Sequence, residues 1–146
     1  MKRALVHLAS LYPGASLGLV LPAQPDKHRP VHALAISRTD FALSKAIRRH
    51  MAGRGVPLDY EHLVLAGAPL SAVTPQFPQW NETFHAHVEL ATRPRRIRHV
   101  ILVESDPAAA EPLRCLGDGI RSRNPDLEVE TLLLRAGGAL EAVAPQ

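Results

Sequence analysis

Val31-His32-Ala33-Leu34-Ala35-Ile36-Ser37 is apolar at nearly every position and rich in small or branched side chains. That is the composition of a strand covered on both faces, and such strands belong to parallel sheets. Just after it, Thr39 or Asp40 offers a side-chain oxygen to cap a helix. Leu43, Ala46, Ile47, His50 and Met51 then recur at helical spacing until Gly53 and Gly55. A strand therefore feeds a helix through a very short loop.

The same grammar repeats outward from this unit. His62-Leu63-Val64-Leu65-Ala66 predicts a second strand, and residues 67–78 a Pro-punctuated loop. A helix capped near Asn81 follows, burying Phe84, Val88 and Ala91 with His87 at the edge of the stripe. Residues 98–103 form a third strand. Ser105 or Asp106 then caps a helix whose first turn holds Pro107 and whose inward stripe is Ala109, Leu113, Leu116 and Ile120. Asn124-Pro125 ends that helix, and residues 127–134 make a last strand whose half-alternating start suggests an edge. Repeated units of this kind predict an α/β, three-layer fold. Its central sheet is mostly parallel, with four to five strands and helices on both faces. Ligands in such sheets sit outside the carboxyl ends of the strands. Those ends are Arg38-Thr39-Asp40, Ala66-Gly67-Ala68 and Glu104-Ser105-Asp106.

At 146 residues the chain reads as a single domain, 1–146, made of an N-terminal arm (1–30), a core (31–134) and a C-terminal tail (135–146). Pro13, Gly14, Pro22, Pro25 and Pro30 break up the arm, which is expected to pack on the domain or on a partner subunit. Met1-Lys2-Arg3 and the apolar stretch after it imitate a secretory leader, but His7 and Tyr12-Pro13-Gly14 interrupt the run. No uninterrupted apolar run reaches the roughly 18 residues of a membrane span. Hydrophobic residues at 46% and charged residues at 21% place the chain among ordinary globular domains and exclude wholesale disorder. The single cysteine, Cys115, excludes an internal disulfide framework, so a cytoplasmic location is the expectation.

All the basic residues except Lys2, Lys27 and Lys45 are arginines, and they are densest in Arg93-Pro94-Arg95-Arg96-Ile97-Arg98-His99. Such a cluster can meet phosphate. No aromatic side chain lies near it for base stacking, so nucleic acid is the weaker alternative and a solvated turn the plainer one. His85 and His87 lie about 200° apart on a helix, too far for one metal. His85 and Glu89 are better placed and read as an exposed pair. Cys115 lies off its helix's apolar stripe, as a packing or surface thiol would. No G-x-S-x-G elbow, P-loop or G-x-G-x-x-G fingerprint is present, and Gly117-Asp118-Gly119 sits inside a helical pattern.

Three segments resemble motifs of the β-class carbonic anhydrase superfamily. Arg38-Thr39-Asp40-Phe41-Ala42 is similar to its C-x-D-x-R segment, Leu65-Ala66-Gly67-Ala68 to its A-G-G or A-G-N turn, and Val103 to Ala109 to its H-x-x-C-G strand end. Placed residue by residue, the resemblance puts the vestigial zinc-ligand positions on Arg38, Glu104 and Pro107. Asp40 and Asp106 match the motif's aspartates, and the motif's arginine has become Ala42. Arg38 repels a cation and Pro107 has no donor, so neither metal nor cofactor is expected, and hydratase chemistry through a zinc-bound water is not expected either.

The resemblance thus implies shape without the family's activity. The resulting expectation is a metal-free small-anion-binding or assembly module, a homodimer by family habit. Arg38 either pairs with Glu104 or Asp106 or turns outward to solvent. A small anion is expected near Arg38, Gly67 and Ala68, where helix amino ends point. The alternative is an enzyme using Asp40 or Asp106 as general base, against the simpler role of both as helix caps.

Overall fold

A computed structural model describes residues 31–54, 59–67 and 69–144. Gly55, Ala68 and the arm expected from residues 1–30 lie outside them. All five residues of β1 (Ala33–Ser37) are buried, and they serve two cores. Leu34 and Ile36 join Phe84, Val88, Val100, Leu102, Leu113 and Ile120 in one cluster. Ala33 and Ala35 join Leu43, Ile47, Met51, Ile101 and Val103 in another. Successive strand side chains point to opposite faces, which is why this strand is apolar from Ala33 to Ile36 instead of alternating. The first cluster is closed by α2 (Pro78–Thr92) and α3 (Ala110–Arg123), the second by α1 (Phe41–Gly53).

β1 pairs in parallel with β2 (Tyr60–Val64) on one side and with β3 (His99–Glu104) on the other. β4 (Glu128–Leu134) continues in parallel beside β3, and β5 (Leu140–Ala142) finishes the sheet antiparallel to β4. The result is an α/β fold with a 5-stranded, mostly parallel sheet in the order β2-β1-β3-β4-β5.

Several local expectations change. The stretch read as a C-terminal tail contains β5, whose three residues are too short to show a period. β5 pairs with Leu132 to Leu134 only, so β4 is an edge strand in its first half alone, where Glu128 is exposed and Glu130 half-buried. The second helix begins at Pro78, not near Asn81: proline tolerates the first turn, where its missing N–H has no helical acceptor. Asn81 instead donates from Nδ2 to the Ala72 carbonyl at 3.0 Å, tying the helix to the 3-10 turn Leu70–Val73.

His85 is not an exposed partner of Glu89. It is only 3% exposed, because the buried stripe of α2 runs through Phe84, His85, Val88 and Thr92. Opposite it lies Gly119 of α3, where a Cβ would sit 3.5 Å from His85 Cε1. Close packing accounts for the first glycine of Gly117-Asp118-Gly119 and not for the second. Gly117 lets the helix approach Thr131 of β4, whose Cγ2 would be 3.0 Å from a Cβ, whereas a Cβ at Gly119 would meet the imidazole at ordinary contact distance. Each glycine costs the helix about 1 kcal/mol of propensity against alanine.

Candidate functional site

From β1 the chain goes outward to β2 and then returns past β1 to begin β3, so the connections after β1 and β3 run in opposite directions. The crevice outside the carboxyl ends of two such strands is where open parallel sheets bind ligands. Arg38 and Asp40 follow β1 there, and Glu104 and Ser105 stand at the end of β3.

The side chains of Asp40, Glu104 and Ser105 converge on the Arg38 guanidinium. Arg38 Nη2 donates to Ser105 Oγ at 2.6 Å and lies 3.6 Å from Asp40 Oδ2, while Nε is 3.9 Å from Glu104 Oε2. Arg38 is 40% exposed at the side chain and Glu104 only 1%. Glu104 Oε2 accepts from the Ser105 N–H at 2.9 Å, whereas Oε1 is buried with no hydrogen-bond partner among the described residues. Arg38 therefore neither turns wholly outward nor forms a bidentate fork. It straps the β1–α1 loop to the β3–α3 connection and faces two carboxylates with a single positive charge.

The other candidates divide. Asp40 caps α1, its Oδ1 accepting from Ala42 N at 2.7 Å and Leu43 N at 3.2 Å. Asp106 stands apart from Arg38 and caps the 3-10 turn Pro107–Ala109 through the Ala108 N–H at 2.9 Å. Pro107 opens that turn and brings no donor. Gly67 adopts φ 69°, a left-handed conformation suited to glycine, and its carbonyl accepts from Ser71 N at 2.9 Å. No hydrogen bond among the described residues joins Gly67 to Arg38, and Ala68 lies outside those residues. The cavity on the Gly67 side, about 340 Å³, is lined by Ala66, Ser71, Phe77, Gln79, Trp80 and Thr83. No group of three or more His, Cys, Asp or Glu side chains converges among the described residues. Arg38, Glu104 and Pro107 together offer a zinc ion one carboxylate and a repelling cation, so these positions do not form a zinc site.

Two features were missed in the sequence. Asp106 provides the cap, and the Ser105 hydroxyl is instead the nearest partner of Arg38. Ser37 Oγ lies 2.8 Å from His62 Nε2 and also donates to the Arg38 carbonyl at 3.1 Å. With the hydroxyl proton on that carbonyl, His62 is the Nε2–H tautomer. Burial lowers the His62 pKa from the ordinary 6.5, which keeps the ring neutral. The register pairs Ala35 with His62, so Ser37, two residues further, lies on the same face. Ser37 is fully buried, out of reach of a substrate, and the pair is a structural one.

At the opposite end of the sheet, the basic cluster forms the turn from α2 into β3. Arg93 pairs with Glu89 at 3.2 Å and Arg95 with Glu61 at 2.5 Å. From α3, Arg123 holds Glu82 by two hydrogen bonds of 2.6 and 3.0 Å. Arg96 has φ 57°. Its N–H donates to the Arg93 carbonyl, and Ile97 N donates to the Thr92 carbonyl at 3.0 Å, the pattern of a helix end that usually takes glycine. A side chain there costs about 1–2 kcal/mol. No family model, curated protein or solved structure matches the chain.

Proposed function

We propose that the chain is a metal-free protein of three-layer, β-carbonic anhydrase-like architecture, without hydratase activity, that works as a cytoplasmic binding or assembly module. One observation carries the reading: a guanidinium bridges the ends of β1 and β3 through Ser105 at 2.6 Å, with buried Glu104 beside it, where the resemblance would put zinc ligands. Two apolar clusters fed by alternate residues of β1 support the three-layer form. Among the described residues no helix is long and apolar enough to cross a membrane.

The balance at the rim favours assembly over anion capture there. Arg38 already faces Asp40 and Glu104, so a free anion would compete with two carboxylates for one cation. Asp40 and Asp106 each spend a carboxylate oxygen on helix amides, which favours the capping role over that of a general base. The homodimer remains part of the proposal. Elemental analysis of protein purified without chelator, combined with a carbon dioxide hydration assay, tests the reading. Stoichiometric zinc or measurable hydration overturns it. Sedimentation of the purified chain tests the dimer, and a monomer at all concentrations removes that element.

A further inference from the structure

We propose that the cleft between the α2–β3 and α3–β4 connections binds a small phosphate monoester, held by the guanidiniums of Arg96 and Arg98. The cleft lies at the amino ends of the parallel strands, away from the rim that carries Arg38, and is independent of the reading given for that rim. It encloses about 350 Å³ over buried Thr92 and Ile97, and Arg93, Arg96, Arg98, Arg123 and Asp126 line it.

Two of these arginines are already committed, Arg93 to Glu89 and Arg123 to Glu82. Arg96 and Arg98 carry no ion pair among the described residues. Their forks are therefore available to phosphoryl oxygens, and guanidinium meets phosphate through parallel charge-assisted hydrogen bonds. Asp126, contributed by the other connection, lines the same cleft. Its carboxylate accepts a hydroxyl of the ester and repels an extended polyanion. Among the residues lining the cleft no aromatic ring offers a stacking surface, so a small ester fits better than a nucleic-acid strand.

Arg96 supplies the second, independent observation. Its backbone occupies a left-handed position, φ 57°, at a helix end where glycine is the relaxed choice. A long cationic side chain is thus held in a disfavoured conformation at the mouth of a cleft whose lining sets four arginines against one carboxylate, that of Asp126. Strain of this kind concentrates at ligand-binding positions.

The test uses the purified chain, with inorganic phosphate and glycerol phosphate as probes in titration calorimetry at low salt. Glycerol phosphate binds saturably and more tightly than inorganic phosphate. Arg96→Gly weakens that binding about tenfold while raising the melting temperature by about 2–4 °C. Arg98→Ala also weakens it, whereas Arg95→Ala, which removes the neighbouring partner of Glu61, leaves it within about twofold. Absence of saturable binding by the wild-type chain overturns the proposal, as does unchanged binding by Arg96→Gly. So does a single-stranded oligonucleotide that outcompetes glycerol phosphate at equal salt, which would turn the cleft into a nucleic-acid contact.

Discussion

Breaking the contact between Arg38 and Glu104 should cost less than a buried ion pair and more than a surface one. At 3.9 Å and an effective dielectric of about 20, the bare attraction is about 4 kcal/mol. Water reaches Arg38, whose side chain is 40% exposed, and takes back part of that energy, but it does not reach Glu104 at 1%. The net coupling is then about 1–2 kcal/mol, between the exposed and buried limits. Arg38→Met should destabilise by about 2 kcal/mol, because the Glu104 carboxylate keeps only the Ser105 amide as a partner. Glu104→Gln, which keeps the shape and removes the charge, should cost about 1 kcal/mol. The double variant should cost about 1–2 kcal/mol, less than the sum of the two. Urea unfolding of all four proteins at neutral pH gives the cycle. Additivity within about 0.3 kcal/mol would refute the view that this guanidinium neutralises the buried carboxylate.

His85 loses affinity for a proton through burial first and the Arg123 charge second, with Glu82 and Glu89 opposing, so its pKa falls below the ordinary 6.5. The unfolded chain then takes up a proton that the folded chain resists, and stability falls as pH drops below about 6.5, with no contribution above it. His50 and His62, also lowered, act in the same sense. His85→Leu should flatten part of this slope in urea midpoints measured across that range; an unchanged slope would contradict it. Asp40→Ala removes a cap that satisfies two amides and should lower stability by about 1 kcal/mol in thermal melts. Gly119→Ala meets His85 at an ordinary 3.5 Å and should gain up to about 1 kcal/mol of helix propensity. Gly117→Ala meets Thr131 Cγ2 at 3.0 Å and should forfeit that gain, so equal melting temperatures for the two variants would argue against this packing.

The strand-helix alternation was legible because β1, β3 and the apolar stripes of the helices are long enough to carry a period. Asp40 and Asp106 could be recognised as caps because a cap is a local property, set by side chains within three residues of it. What escaped depends on contacts between elements. His85 looks solvent-facing until α3 lies against it, and β5 has too few residues to show alternation. The Arg38–Ser105 contact joins positions 67 residues apart, and no spacing rule reaches that far. The left-handed turn at Arg96 left a negative trace: a helix ending at Thr92 has no glycine after it, so another residue must take that conformation.

The sheet's centre has consequences for how the chain is made. Of the described strands β1 is synthesised first, yet its inner partner is β3, with Ala33 beside His99 and Ile36 beside Leu102. Until the ribosome has released the chain through Leu102, β2 is the only strand among the described residues that β1 can find, and one flank of a fully buried strand stays open. Long-range parallel pairing of this kind slows folding, and exposed strand flanks in the interval invite association. Nascent chains stalled before residue 99 should therefore lean on chaperones, and those stalled beyond β4 should not.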